Sequence, residues 1–526
     1  MIAFCILLGL SIAAVPPADV TVYKAIRYAQ PPTGGQRWKP PVPAPAPRSF
    51  ESYTTKNFAP ACMQLGATLS TLYSDDPPDR SEDCLFLNVW KPQKAQNAPV
   101  MVWIHGGALR TGNLASGLFD ATQLARTGVI VVTLAYRLGV FGYMAHPELT
   151  AESPHHSSGN YGLLDQIAAL HWVQDNIKQL GGDPGNITLF GESAGALSTI
   201  ELMTSPLAKG LFHRAIVQSG YMVSNMELQR PSLGQPSAEQ VGSYIANKLG
   251  ASNLAALRAL GAETLLTKSY AAGFDPTATI DGWVLPEQIV DAFAKGEQAH
   301  VPVIVGFNAG EMRSLRTLLP PIPTTAAQYE SQVHALFGDL AGKYLEQYPS
   351  NHIEPSVLAA SRDGLYGWTA ERIAKMQTKA GVPAYLYFFE HQYPAEAPLH
   401  LEAFHASELP FEWGHVGAND RLPKNWPRPP DDATQKAVSA AIMNYFTHFA
   451  RDGKPSAPGE PGWQPYSAGE AYLDIRDEPE LARNLLPGMY ELHEEMVARR
   501  HASDKQNWYV NVGLASPVLP ASIQSK

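Results

Sequence analysis

Short apolar runs rich in β-branched residues alternate with amphipathic stretches along most of this chain. The runs at 99–104, 129–134, 187–190 and 301–307 have the length and composition of buried parallel strands. From Tyr161 to Leu180, apolar residues recur at helical spacing on one stripe and stop at a pair of glycines, which predicts a helix. We predict further helices directly after residue 193 and over 437–449. Strands alternating with helices predict an α/β fold whose large, mostly parallel central sheet is covered by helices on both faces.

The N-terminus departs from this pattern. Residues 2–15 form an almost uninterrupted apolar run that ends in small residues, and we interpret residues 1–15 as a signal peptide. Because no Lys or Arg precedes the run, a misplaced start or a buried first strand is the alternative. The run is too short for a membrane span and no later run reaches 18 apolar residues, so we expect no stable membrane insertion. We predict one elaborated α/β domain over residues 16–500 and a C-terminal tail over 501–526.

Charge and cysteine content narrow the classes of partner and compartment. The net charge of −10 is spread without basic clusters, which argues against nucleic acid as a partner.

Of three cysteines, Cys5 would leave with a signal peptide, and Cys62 and Cys84 remain as an even pair that closes a loop of about 20 residues. In an oxidising compartment a bond between them would stabilise the fold by roughly 3 kcal/mol. In a cytosolic chain, two independent buried thiols are favoured.

The strongest chemical signal is Gly191-Glu192-Ser193-Ala194-Gly195, which follows an apolar run and precedes a predicted helix. A Gly-x-Ser-x-Gly string in this context is typical of a nucleophile elbow, because its glycines allow the sharp turn that exposes the serine oxygen. A serine hydroxyl is a poor nucleophile until a base takes its proton. The string also arises in ordinary turns, so acyl transfer by Ser193 requires a base, an acid and an oxyanion site elsewhere in the chain.

A glycine turn upstream meets the oxyanion requirement. The segment from Trp103 to Ala108 leaves an apolar strand and exposes successive backbone N–H groups, as the oxyanion loop of esterases does. We predict that the N–H groups of Gly106, Gly107 and Ala194 hold the oxyanion, each donor contributing about 3 kcal/mol to lowering the barrier. An ordinary glycine turn after a strand is the alternative.

Several motifs together resemble one family. Ser81 to Trp90 and Phe190 to Ala196 look like the paired signatures of the type-B carboxylesterase/lipase family, the cholinesterase-like branch of the α/β-hydrolases. The stretches at 28–32, 136–139, 159–166 and 182–184 are similar too, and the resemblance covers roughly residues 20 to 495. It implies an α/β-hydrolase fold of the bacterial carboxylesterase or p-nitrobenzyl-esterase type, with helical insertions that form a gorge or cap. It also implies a serine carboxylesterase that acts on small-molecule esters without a metal or cofactor.

The resemblance selects the two remaining members of a catalytic triad. The segment that ends in Glu311 is similar to the family segment that ends in the catalytic acid, with Asp281 as a rival. The segment around His405 matches the family's histidine segment closely, whereas the residues alone leave His400 nearly as good. The resulting order of serine, acid and histidine is the one that α/β-hydrolases use.

These roles predict a mechanism. His405 takes the proton of Ser193, Glu311 orients and stabilises the imidazolium, and water hydrolyses the acyl-enzyme in a second half-reaction. Since a neutral imidazole is required, activity should fall as the pH drops through about 6 to 7.

Supporting roles also follow from the resemblance. Glu192, Ser219 and Glu408 correspond to a polar network behind the histidine, with local structure as the alternative explanation. Cys62 and Cys84 resemble the family's first disulfide. This favours a periplasmic or secreted location over a cytoplasmic one.

Four departures from the family pattern bear on geometry and substrate. The loop between the two cysteines has no tryptophan, whereas cholinesterases use one there to bind quaternary ammonium, so choline esters are poor candidates. Ala108 and Met312 each replace an expected glycine, and Ala135 stands where the family often has asparagine.

Substrate charge and two alternative functions remain open at this point. Arg110, and also Arg313, lie near the predicted site in sequence and could receive a carboxylated acyl chain, against the alternative of solvated or salt-bridged surface residues. A non-catalytic adhesion module would usually lack a triad member, and all three are present. A true lipase would have a large apolar lid, whereas the loop over 65–80 mixes leucines with acidic residues and reads as a gorge rim.

Overall fold

A ten-stranded sheet forms the centre of the computed structural model, which describes residues 20–66, 72–73, 75, 77, 79–418 and 421–521. Its spatial order is β1-β2-β4-β3-β5-β6-β7-β8-β9-β10. Strands β3 to β9 run parallel, and β1, β2 and β10 are antiparallel to their neighbours, so the predicted large, mostly parallel sheet is confirmed. In chain order the strands are β1 Val20–Arg27, β2 Phe86–Pro92, β3 Ala98–Ile104, β4 Ile130–Leu134, β5 Gly182–Glu192, β6 Arg214–Gln218, β7 Val303–Asn308, β8 Ala384–Phe389, β9 Ala471–Ile475 and β10 Glu480–Arg483.

Helices connect the strands. They also form most of two long insertions, the first between β6 and β7 and the second between β7 and β8. Those up to the end of the first insertion are α1 Thr122–Arg126, α2 Gly139–Tyr143, α3 Pro147–Glu152, α4 Tyr161–Asn176, α5 Ala194–Thr204, α6 Ala238–Lys248, α7 Leu254–Ala259, α8 Ala262–Ala271 and α9 Ile289–Lys295. The later ones are α10 Glu311–Ser314, α11 Ala326–Phe337, α12 Ala341–Gln347, α13 Ile353–Arg362, α14 Trp368–Lys379, α15 Leu409–Glu412, α16 Ala433–Asp452 and α17 Met489–Ser503. A π-helical turn, Asp363–Gly367, joins α13 to α14.

Side chains of β3 show how the sheet is buried on both faces. Val100, Val102 and Ile104 belong to one apolar core, which includes residues of α4 and α5. Met101 and Trp103 belong to a second core, which includes residues of α1, α15 and α16. Successive strand residues point to opposite faces, so a continuous apolar run such as this one requires cover on both sides.

The predicted elements correspond closely to those in the structure. The four predicted strands are β3, β4, β5 and β7. The helix predicted over 161–180 consists of α4 and a 3₁₀ turn, Ile177–Leu180, that ends at Gly181. Gly181 has φ = 84°, the left-handed conformation that glycine adopts readily at a helix C-terminus. The helix after residue 193 is α5, and the one over 437–449 is the middle of α16.

The chain ends differ in what can be described. The signal peptide predicted over 1–15 lies outside the described residues. At the other end, the predicted boundary at residue 500 falls inside α17, and the segment after this helix packs against the fold because it carries apolar side chains. Trp508, Val512 and Leu514 are 2%, 6% and 8% exposed. No helix in the described part of the chain is long and apolar enough to cross a bilayer.

Candidate active site

Ser193 occupies a strained turn between β5 and α5. Its φ of 55° and ψ of −122° are unfavourable for a residue with a side chain, and such strain is typical of functional sites. Both flanking glycines are required by close contacts. A Cβ on Gly195 would lie 2.0 Å from the Ile104 carbonyl oxygen, and one on Gly191 would lie 2.6 Å from the Gly195 backbone. Ser193 stays partly exposed while its two neighbours are buried, so the turn presents the serine to the site.

The predicted oxyanion loop lies directly against this elbow. A Cβ on Gly106 would be 3.1 Å from Ser193 Cβ, so no side chain fits between them. Gly107 forms the turn itself with φ = 103°, and its carbonyl accepts hydrogen bonds from the backbone of Arg110 and Thr111. Ala194 begins α5, and the first amides of a helix have no intrahelical acceptor. The structure therefore brings the predicted donors Gly106 and Ala194 to the serine, with Gly107 on the exposed side.

Glu311 is held from three sides at the start of α10. Its Oε1 accepts hydrogen bonds from the Ser219 hydroxyl at 2.6 Å and from the Asn308 backbone N–H at 2.8 Å. Its Oε2 makes a short hydrogen bond with His405 Nδ1, and the carboxyl group is fully buried. The rival acid, Asp281, instead accepts three backbone N–H groups within its own turn, from residues 283 to 285.

His405 lies between two carboxylates. Nδ1 meets Glu311, and Nε2 lies 3.0 Å from Glu192 Oε1. Within the described part of the chain, no hydrogen bond joins Nε2 to Ser193. The Tyr73 hydroxyl donates to the His405 carbonyl at 2.9 Å, which fixes the backbone of the histidine. The rival His400 is exposed, and its carbonyl accepts from Arg313.

These charges change the expected titration of the histidine. Burial lowers the pKa of His405, but Glu192 and then Glu311 outweigh it and raise the pKa to about 9. The predicted fall in activity at pH 6 to 7 assumed an ordinary imidazole. Because two carboxylates face the ring, we expect the transition at a higher pH than that range.

The predicted polar network behind the histidine divides into separate contacts. Of its three members, only Glu192 reaches the ring, and it lies on the Nε2 side rather than behind it. Ser219 contacts the acid Glu311. Glu408 is one layer further away and accepts from the Asn308 side-chain amide at 2.5 Å. Burial raises the pKa of Glu408 to about 7, so this layer carries less negative charge than its composition suggests.

Both arginines considered for an anionic substrate have protein partners. Arg110 forms an ion pair with Asp275 at 2.6 Å and lies over the ring of Tyr270. Arg313 pairs with Glu402. Both arginines are therefore salt-bridged to protein carboxylates, which was the alternative to a role in binding a carboxylated acyl chain.

The predicted disulfide joins Cys62 to Cys84. The base of the loop between them is closed by a hydrogen bond from the Ala61 N–H to the Asp79 carbonyl at 3.0 Å. From this loop, Tyr73 reaches the His405 carbonyl. The disulfide therefore anchors a loop that contacts the histidine.

Comparison with known proteins decides the family. The model of the carboxylesterase family matches residues 7–492. This chain belongs to the carboxylesterase family. The carboxylesterase is 36% identical to fumonisin B1 esterase of Sphingopyxis macrogoltabida, over 76% of this chain and 73% of that one. It is 32% identical to carboxylesterase 1D of Rattus norvegicus, with 93% and 91% covered, and 32% identical to the cocaine esterase of Homo sapiens, with 89% and 86% covered.

Solved structures agree with this assignment. A PNB esterase and a thermophilic PNB esterase each superpose with a TM-score of 0.74 at 32% identity, covering 90% of this chain and 96% of theirs. The carboxylesterase therefore has the α/β-hydrolase fold. It is a serine hydrolase that cleaves carboxylic esters, and its substrates are small-molecule esters.

Some residues around the site of this carboxylesterase were missed from the sequence. Asn308 contacts both Glu311 and Glu408, and Gln218 donates to Glu412 at 2.8 Å. The sequence contains two weak signals for these contacts. Asn308 is the last residue of the strand that precedes Glu311, and the spacing of four residues places Glu408 and Glu412 on one face of a helix. Nothing in the local sequence around Tyr366 indicates that its ring lies 5.4 Å from that of the histidine.

Proposed function

We propose that this carboxylesterase uses Ser193 as nucleophile, His405 as general base and acid, and Glu311 as the orienting carboxylate. The observation that carries the proposal is the short hydrogen bond that His405 Nδ1 donates to Glu311, beside a strained and partly exposed serine. A buried carboxylate on Nδ1 leaves Nε2 available to exchange a proton with the substrate.

The reaction proceeds in two symmetrical halves. Ser193 Oγ attacks the ester carbonyl carbon while His405 Nε2 takes its proton, and the N–H groups of Gly106, Gly107 and Ala194 stabilise the oxyanion. The intermediate collapses when Nε2 returns that proton to the departing alkoxide, which leaves as the alcohol. Water then attacks the acyl-enzyme by the same route and releases the acid.

The first proton transfer requires a change of partner by the histidine. In the resting arrangement Nε2 lies beside Glu192, so the imidazole must turn toward Ser193 when substrate enters. Catalytic hydrogen bonds often tighten only in the substrate complex. Only the neutral imidazole can take the serine proton, and Glu192, which lies near Nε2, stabilises the positive charge that forms on the ring during attack.

We also propose that residues 1–15 are a signal peptide and that the mature enzyme, one hydrolase domain from residue 16 onward, is periplasmic or secreted. The Cys62–Cys84 disulfide supports an oxidising compartment. N-terminal sequencing of the protein from its native host tests this proposal. A mature chain that begins near residue 16 agrees with it, and one that retains Met1 contradicts it.

The catalytic proposal is tested by replacing Ser193 with alanine. Turnover of a soluble short-chain ester should fall on the order of a millionfold, as loss of a triad serine does. Ser205→Ala is the matched control, because Ser205 is a buried serine at the far end of α5 whose hydroxyl has no hydrogen-bond partner among the described residues. Activity of Ser193→Ala within tenfold of wild type would contradict the assignment. Parallel assays on emulsified long-chain triglyceride separate an esterase from a true lipase.

A further inference from the structure

A side chain holds the peptide that joins Gly106 to Gly107. Nδ1 of His105 lies 2.9 Å from the Gly106 carbonyl oxygen. A carbonyl oxygen can only accept a hydrogen bond, so the ring carries its proton on Nδ1 and donates it there. In a planar trans peptide the C=O and the following N–H point in opposite directions. The hydrogen bond from His105 therefore turns the Gly107 N–H away from the imidazole.

The Gly107 N–H is free to bind an oxyanion. Among the described residues it donates to no acceptor of the protein. Gly106, which shares the peptide, lies against the nucleophile, because a Cβ on it would be 3.1 Å from Ser193 Cβ. A backbone donor without a protein partner beside the nucleophile is what an oxyanion site requires. The orientation of this one peptide therefore decides whether the Gly107 N–H is available to the reaction.

His105 is itself fixed by a tyrosine. Its ring stacks on that of Tyr136, with the centroids 4.5 Å apart and the planes at 23°, and the Tyr136 hydroxyl donates to the His105 carbonyl at 2.9 Å. The histidine is 2% exposed, and burial lowers its pKa to about 4. The imidazole is therefore neutral at the pH at which esters are hydrolysed, with its single proton on Nδ1.

A buried glutamine clamps the far end of the same loop. Gln64 Nε2 donates to the Gly112 carbonyl at 2.7 Å, and Gln64 Oε1 accepts from the Gly112 N–H at 3.0 Å. Nε2 also donates to the carbonyl of the disulfide-bonded Cys62 at 3.0 Å. Gly112 packs against the imidazole of His105, because an added Cβ would lie 1.9 Å from Cε1 of the ring. Gln64 therefore holds Gly112 against the ring that binds the Gly106 carbonyl.

The backbone between these two contacts is strained. Gly107, Ala108 and Leu109 follow one another with φ of 103°, 54° and 57°. This left-handed region is unfavourable for residues with a Cβ, so the loop keeps its shape only where surrounding contacts hold it. Part of the restraint comes from the Gly139 N–H, which donates to the Leu109 carbonyl at 2.7 Å. A loop with such a backbone relaxes readily when one of its restraints is removed.

We propose that His105 and Gln64 are positioning residues of the oxyanion site. Nδ1 of His105 fixes the Gly106 carbonyl, and Gln64 keeps the ring in place through Gly112. The Gly107 N–H then points at the oxyanion before the reaction begins and does not have to turn during it. Both side chains act through the backbone rather than on the substrate. The proposal rests on the proposed oxyanion site.

Two replacements of His105 separate its hydrogen bond from the packing of its ring. Asparagine places an amide N–H near the position of Nδ1, whereas phenylalanine keeps an aromatic ring against Tyr136 without a donor. For each variant we measure kcat and KM on a soluble short-chain ester, and the inhibition constant of a trifluoromethyl ketone, whose adduct with the serine carries the oxyanion. His213→Phe is the control, because His213 also contacts a backbone group, the Ile187 N–H, just before β6 begins.

We expect His105→Phe to lower kcat about 10- to 100-fold with KM within threefold of wild type, since the loss falls on the transition state. The trifluoromethyl ketone should bind more weakly by a similar factor. His105→Asn should stay within threefold of wild type in both measurements, and the control should match wild type. A purely structural role of the ring predicts the opposite order of the two variants.

Gln64→Met tests the clamp. We expect the same pattern at about three- to tenfold, because the hydrogen bond from His105 remains and only its support is lost. Gln377→Met is the matched control, since Gln377 is also a buried amide that donates to two backbone carbonyls, those of Ala299 and Val301, before β7 begins. Thermal melting of every variant shows that it is folded. If His105→Phe does not fold, wild-type constants in Gln64→Met overturn the proposal and the expected losses support it.

Two further results would overturn the positioning role. One is a kcat and an inhibition constant of folded His105→Phe within threefold of wild type. The other is an equal loss in His105→Asn and His105→Phe, which would assign the effect to the ring. Gly106→Ala separates this failure from that of the oxyanion site. Weaker inhibitor binding in Gly106→Ala alone keeps the site and rejects the role of His105, whereas wild-type binding in both variants rejects the site itself.

Discussion

The elbow and the histidine site lie side by side but are built in different ways. The backbone fixes Ser193: the turn, the two glycines and the close approach of Gly106 leave no freedom in its position. Side-chain charge holds His405, through carboxylates that come from the end of β5 and the start of α10. The elbow therefore tolerates little change in shape, whereas the histidine site responds to changes in charge.

This difference separates two kinds of mutational effect. Substitutions at the elbow should reduce kcat without moving its pH dependence, because they displace reacting atoms. Substitutions of the carboxylates should change the tautomer or the pKa of the imidazole while the backbone stays in place.

Among substitutions of the carboxylates that face His405, Glu311→Gln should have the largest effect. A neutral amide on Nδ1 allows the wrong tautomer, and the corresponding change in a serine protease lowers kcat about 10⁴-fold. Steady-state kinetics on a soluble ester measure it. Asp281→Asn is the control, because this rival carboxylate serves a backbone turn. If Asp281→Asn lost the activity and Glu311→Gln retained it, the acid assignment would be wrong.

On the elbow side, we expect Gly106→Ala to lower kcat about 10²- to 10³-fold, the cost of losing one oxyanion donor. The new Cβ would lie 2.8 Å from Glu192 Oε2 and 3.1 Å from Ser193 Cβ, which pushes the loop away from the serine. Gly261→Ala is the control, since a Cβ there meets open space. A kcat within threefold of wild type would show that the loop is not the oxyanion site.

Removing the Cys62–Cys84 disulfide shows how much this bond contributes to the stability of the folded protein. Replacing Cys62 and Cys84 together by serine should lower the free energy of unfolding by roughly 3 kcal/mol, because the unfolded chain regains loop entropy. Urea denaturation without reductant measures this, and wild type with excess reductant should show a similar loss. Equal stability of the oxidised wild type and the double variant would contradict a structural role for the bond.

The smallest effect, and the clearest sign of charge control, is expected from Glu192→Gln. Removing this carboxylate should lower the pKa of His405 from its raised value of about 9, by about one unit or more. The ascending limb of kcat/KM, which requires neutral imidazole, should move to lower pH by the same amount. Glu402→Gln is the control, because its carboxylate is partly exposed and paired with Arg313. An unmoved limb in Glu192→Gln would show that Glu192 does not set the histidine pKa.

The same contrast explains which parts of the molecule were predictable. Apolar runs such as 99–104 predicted the strands because burial on both faces leaves a local trace in the sequence. The elbow and Gly106 were readable because a strained turn needs glycine at fixed positions. The resemblance to a family selected Glu311 and His405, which the residues alone did not separate from Asp281 and His400.

The charged surroundings were less accessible from the sequence. Contact between Glu192 and Nε2, or between Tyr366 and the imidazole, depends on segments far apart in the chain that meet only in the folded sheet. The pKa of the histidine depends on that assembly, so the sequence alone supports only the ordinary imidazole range. The packed segment after α17 was also not anticipated, because its apolar residues are spaced irregularly.

Rapid acylation shows whether Ser193 carries the acyl group. Wild-type enzyme is mixed with p-nitrophenyl acetate, quenched in acid within the burst of p-nitrophenol release, and digested for mass spectrometry. We predict about one acetyl group per chain, on the peptide that contains Ser193, with none in Ser193→Ala. An acetyl group on another residue, or a full burst that leaves Ser193 unmodified, would contradict the mechanism.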